Sequence, residues 1–156
     1  MAKKPSASVA QLILQLYDLR REAELRKARN WWLTEFWPGS ADDFLKVAWA
    51  GGTQENNWLR QVGGYWGIAA SLVLEGTLNE ELFLRPAFSG EMFAMFGKVH
   101  PFLPELREKL GDPEAFVDIE KVITRTKWGR DRLKFMLKRL EMWREEMAKK
   151  RAASQK

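Results

Sequence analysis

The chain has one histidine, His100, and no cysteine. A single imidazole cannot build a His-rich metal site. Without thiolates there is no disulfide framework, no thiolate zinc site and no cysteine nucleophile. His100 could serve a serine as general base, but no acidic orienting partner and no G-x-S-x-G elbow can be identified by spacing. Six of the twenty-one carboxylates occur as adjacent pairs, Asp42/Asp43, Glu80/Glu81 and Glu145/Glu146. Adjacent residues on a helix do not face each other, so none of these pairs can share a proton or an ion. No Glu-x-x-His pattern, G-x-x-x-x-G-K-[ST] loop or strand–GxGxxG–helix unit is present. No metal and no cofactor is therefore expected, and an enzyme is the less favoured class.

Two constellations remain. The first is polar: Arg60, Tyr65 and Glu75 on or near one long uncharged stretch, with Lys98, His100, Arg107 and Glu120 later in the chain. Its sharper reading is a ligand pocket at the edge of a helical bundle, formed by Arg60, Tyr65, Glu75, His100 and Glu120. The simpler reading is a structural Arg60–Glu75 pair, since a charge flanking a buried helix needs a partner.

The second constellation lies near the C-terminus. At about 100° per residue, Leu133, Met136, Leu137, Leu140, Trp143 and Met147 form one broad apolar stripe of a helix. Trp128, Phe135 and Met142, seven residues apart, fall on nearly the opposite side, and Arg132 and Arg139 flank them. Two apolar strips imply two neighbours. Both neighbours could belong to the same domain, or one could be a second subunit or another protein. Arginine beside aromatics is a common interface composition. From Lys127 onward, eleven basic residues face four acidic ones, a local excess of seven, so with a total of +5 the preceding body carries −2. The basicity belongs to this segment, and attraction to nucleic acid or an anionic membrane is the alternative it supports.

The elements that must position these residues all read as helices, because no segment alternates apolar and polar residues. Ser8 is placed to cap a helix continuing through Trp31 and Trp32 to Phe36, stopped by Pro38-Gly39. Ser40 opens a short helix closed by Gly51-Gly52. Thr53 caps a third, whose run between Arg60 and Glu75 carries no charge and reads as the buried centre of the bundle. Gly63, Gly64 and Gly67 within it suggest close approach by another helix, with a backbone-contacted ligand as the alternative. Asn79 caps a short helix, Ser89 starts an aromatic-rich one, and Pro101 to Leu110 forms another, closed by Gly111. Asp112-Pro113-Glu114 gives the clearest start signal, an N-cap followed by proline at N1 and an acid. The last helix is expected from about Asp131, after a break or weakening at Gly129.

The chain of 156 residues has room for one domain, taken as residues 1–150, with 127–150 as a basic amphipathic helix and 151–156 frayed. Eight tryptophans point to a Trp-rich core. The fourteen uncharged residues after Arg60 would span only about 21 Å as a helix, short of the roughly 30 Å of a bilayer core. The N-terminus lacks the pattern of a signal peptide, and a cytoplasmic location is expected.

Between Tyr65 and Ile123 the order of features resembles an uncharacterised family of small helical bacterial proteins, classed only as a domain of unknown function. The features are Leu72-Val73-Leu74-Glu75-Gly76 ending an apolar helix, then Leu78-Asn79-Glu80-Glu81-Leu82. An aromatic-rich helix follows, then Pro101-Phe102-Leu103-Pro104-Glu105-Leu106-Arg107 and Gly111-Asp112-Pro113. The resemblance implies a helical fold and no activity. The expectation is an all-α, irregular bundle of about six to eight helices acting as a binding or assembly protein. Its surface would be Trp128, Arg132, Phe135, Arg139 and Met142, with a second copy or another protein as partner.

Overall fold

The computed structural model describes residues 4–155. They form α1 (Ala7–Leu19), α2 (Ala23–Thr34), α3 (Ala41–Ala48), α4 (Gln54–Leu74), the single turn α5 (Glu80–Phe83) and α6 (Pro86–Val99). A 3₁₀ turn (His100–Phe102) leads to α7 (Leu103–Leu110), α8 (Val117–Thr124) and α9 (Lys127–Ser154). Among the described residues there is no strand. The fold is an all-α bundle in which α2 packs on α4, α4 on α8, and α6 on α9.

Side-chain caps set most boundaries. Ser40, Thr53 and Asn79 accept from the backbone N–H of Asp43, Asn56 and Leu82, as their positions in the sequence indicate. At the N-terminus Ser6, rather than Ser8, accepts from the Val9 N–H. The expected continuous first helix is two helices. Arg20, only 5% exposed, turns its guanidinium inward and donates to the Phe88 carbonyl. Its Cζ lies 4.7 Å from the ring centroids of both Trp66 and Phe88. Glu22 then restarts the chain as α2 by accepting from the Leu25 N–H at 2.8 Å. A buried cation held by a carbonyl and aromatic faces outweighs the continuation of one helical period.

The buried centre is α6, not α4. Ten of the fourteen α6 residues are buried, against seven of twenty-one in α4. Ser89 lies inside α6, which begins three residues earlier at Pro86. Around α6, Trp31 stacks on Phe36 at 4.5 Å and Trp32 meets Phe36 edge-on at 5.0 Å. Of the eight tryptophans, Trp31, Trp32 and Trp66 are buried and Trp49 and Trp128 are exposed.

The glycine expectations invert. A Cβ at Gly63, Gly64 or Gly67 would meet nothing within 4 Å, so no helix approaches α4 there. The close approaches are elsewhere. A Cβ at Gly97 would stand 2.6 Å from Leu140 Cδ1, where α6 meets α9. At Gly129 it would stand 2.0 Å from the Ile123 carbonyl oxygen, where α9 turns away from α8. Gly129 therefore does not break the last helix. It lies inside α9, which starts at Lys127 under the Thr126 cap and continues to Ser154, past the expected fraying point.

Asp112-Pro113-Glu114 does not start a helix either. Asp112 Oδ1 accepts from the Glu114 N–H, but Phe116 adopts φ 60°, ψ 13°, and α8 begins after it at Val117. A phenylalanine in left-handed geometry is strained. Its ring meets Phe44 edge-on at 5.9 Å, and this packing holds the residue there.

Candidate functional site

Helix α9 has 28 residues and spans about 42 Å at 1.5 Å per residue. Its rotation is fixed from the inside. Leu133, Met136 and Leu140 are buried, with Leu140 against Gly97 of α6. Farther along the same side, Arg144 donates to the Pro38 carbonyl at 2.9 Å and Arg151 to that of Glu35 at 2.7 Å. These contacts leave one face outward over the full length.

Trp128, Phe135 and Met142 stand on that outer face, 45%, 45% and 68% exposed. Residues seven apart drift by only about 20° around a helix, so the three form one strip. Arg132 Cζ lies 4.8 Å from the Phe135 centroid, and Arg139 Cζ lies 5.7 Å from Phe135 and 4.8 Å from Trp143. The structure thus brings all five surface residues named from the sequence into one patch. Arg132 Nε is shielded from solvent and has no acceptor among the described residues. Trp128 rests one edge on Phe93 at 5.9 Å and borders a cleft of about 450 Å³ lined by Glu80, Glu81, Leu84, Arg85, Pro86 and Thr126.

The polar residues do not converge. Arg60 is exposed and donates to Asn56 Oδ1 at 3.2 Å, while Glu75 is exposed at the C-cap of α4, so the two do not pair. Tyr65 donates to the Leu16 carbonyl at 2.5 Å and accepts from Arg20, which fastens α1 to α4. Burial raises the Tyr65 phenol above its ordinary range, opposed by the nearby Arg20 charge. His100 sits in the 3₁₀ turn, 5.6 Å from the Phe96 ring. Glu120 accepts from Arg107 at 2.6 Å, and Arg107 also donates to the Ala115 carbonyl. Of the five, Arg60 lines an open groove of about 570 Å³ between α4 and the 114–119 segment. Its floor is the glycine face of α4. Among the described residues, no group of three or more His, Cys, Asp or Glu side chains is placed to hold a metal ion.

One polar residue escaped sequence reasoning as a core element. Lys98 is 3% exposed, and its ammonium donates to the carbonyls of Trp32 and of Phe36, the latter at 2.9 Å. The Trp37 ring centroid is 3.6 Å from Nζ. Lys98 therefore caps the C-terminal end of α2, where the helix dipole favours a cation. Burial, together with the charges of Arg144 and Arg151, pushes it down to about 7. Its signal was a lone cation at the end of an apolar run, Met92 to Val99.

In class, then, the molecule is an all-α multi-helix bundle carrying one long, partly unburied helix. A family model described as a domain of unknown function (DUF4760) matches residues 5–128, and the chain belongs to that family. The match covers α1 to α8 and ends at Trp128, so nearly all of α9 lies beyond it. No curated protein and no solved structure matches the chain. Among the described residues no helix is long and apolar enough to cross a membrane.

Proposed function

We propose that the protein is a non-enzymatic binding or assembly protein that works through helix–helix contact on the outer face of α9. The observation carrying this reading is the strip itself: three large apolar side chains on one face, in register, with the guanidiniums of Arg132 and Arg139 4.8 and 5.7 Å from the Phe135 centroid. Single exposed apolar residues are ordinary, but an aligned series rimmed by arginines is characteristic of interfaces.

The electrostatic alternative, nucleic acid or an anionic membrane, has less support. Several of the basic residues that suggested it already have partners. Lys127 pairs with Asp131 and Lys150 with Glu146, while Arg130, Arg144 and Arg151 donate to backbone carbonyls.

The test is a photo-crosslinking side chain placed at position 135 in the full chain, produced in its native cells, with position 54 on exposed α4 as control. A discrete protein adduct at 135 and none at 54 is expected. No adduct at 135 would overturn the reading.

A further inference from the structure

We infer that the partner of this strip is a second copy of the chain, laid antiparallel with its two-fold axis beside Phe135. The inference rests on the reading of α9 as an interaction face and adds the identity and direction of the partner.

The strip is symmetric in its spacing. Trp128 and Met142 each lie seven residues from Phe135. Reversing α9 about Phe135 sets Phe135 on itself and Trp128 on the Met142 of the partner copy. The strip is therefore complementary to its own reversed image, which is what an isologous two-fold interface requires. Methionine on an indole is a favourable contact, and the 450 Å³ cleft beside Trp128 gives the incoming thioether and its neighbours room to enter.

Charge adds to this symmetry. Across a two-fold axis, residues on one flank of the helix meet residues on the same flank of the copy. On one flank, reversal brings the Lys127–Asp131 ion pair of one chain opposite Lys138 and Glu141 of the copy, Asp131 nearest Lys138 and Lys127 nearest Glu141, so that the pair extends into a four-charge network, and this occurs twice. Asp131, Lys138 and Glu141 are all exposed. On the other flank Arg132 meets the copy's Arg139. Both guanidiniums already lie against the Phe135 ring, where the aromatic faces offset part of that repulsion. In a parallel, in-register pair the opposite flanks would meet instead, setting Arg132 beside the copy's Asp131 and Arg139 beside the copy's Lys138, one attraction against one repulsion. The antiparallel direction is the one that joins Asp131 to Lys138 and lays the Trp128 indole on Met142.

One face of a single helix, even with the cleft added, is small beside the roughly 800 Å² per partner of a standard interface. Dimerisation is accordingly concentration-dependent, and its apolar centre makes it persist at high salt.

The absence of native cysteine makes a direct test clean. Chains carrying Asp131→Cys and chains carrying Lys138→Cys are oxidised separately and mixed, under glutathione redox buffer, with wild-type mass followed by light scattering. The expected result is a wild-type dimer and a disulfide that forms efficiently only in the mixture. Disulfides formed within each separate sample instead would overturn the antiparallel arrangement. A wild type that stays monomeric at every concentration would overturn self-pairing. In either case an adduct at position 135 would leave the broader reading standing, whereas its absence removes both.

Discussion

Helices α6 and α9 lie against each other, yet they treat their apolar residues in opposite ways. In α6 the eight consecutive residues from Met92 to Val99 are all buried, so every side of the helix is covered, because other helices surround it. In α9 one apolar strip is spent on that contact and the other faces outward. Composition separates them in part, since fourteen of the twenty-eight α9 residues are charged against two of fourteen in α6. Which apolar residues of α9 stay outside is then decided by the number of its neighbours. An apolar residue with no neighbour in its own domain is where an external partner is to be sought.

The difference can be broken most strongly from the α6 side. Phe93→Ala should cost about 3–5 kcal/mol, since it empties a fully buried aromatic site. Phe135→Ala should change the unfolding free energy of dilute protein by no more than about 0.5 kcal/mol. Urea titration of the two variants compares them, and similar losses would mean that the outer strip is core.

The next effect concerns the approach of backbones. Gly129→Ala should destabilise by about 1–3 kcal/mol, because the new methyl would collide with the Ile123 carbonyl, which belongs to the backbone. Gly97→Ala should cost less, since its obstacle is the end of the Leu140 side chain. Thermal melts rank the two.

Lys98 supplies a pH signature of the α6 environment. In the folded protein it binds its proton only below about 7, whereas in the unfolded chain it does so below 10.5. Between these values the unfolded state holds more protons, so stability rises with pH, by at most about 1.4 kcal/mol per pH unit. Lys98→Met should remove that rise. Urea midpoints of wild type and variant from about pH 7 to about pH 9 test it, and parallel curves would contradict the assignment. The smallest effect is Gly64→Ala on the open face of α4, which should stabilise by up to about 1 kcal/mol.

Much of this arrangement is legible in residue order. Ser40, Thr53 and Asn79 cap where their types and positions say they should, and Gly76 and Gly111 end their helices at positive φ. The two strips of α9 follow from the helical period alone. Three features were hidden because tertiary packing overrides a local signal. Arg20 breaks an apparently continuous helix by burying its charge among aromatics that are distant in sequence. Phe116 cancels the proline start signal through its packing on Phe44. The uncharged run of α4 reads as fully enclosed, but its glycines border open space, because the absence of charge does not reveal which sides have neighbours. The polar residues Arg60, Tyr65, Glu75, His100 and Glu120 lacked any spacing relation, and the fold scatters them, with Arg60, Tyr65 and Glu120 each on a different local partner.

The most direct test of the central claim is light scattering coupled to size exclusion on the full chain, at low and high salt, for wild type and Phe135→Glu/Met142→Glu. The wild type should form a dimer that grows with concentration at both salts, and the double variant should be monomeric with an unchanged helical circular dichroism spectrum. Equal masses for the two proteins at every concentration would contradict it.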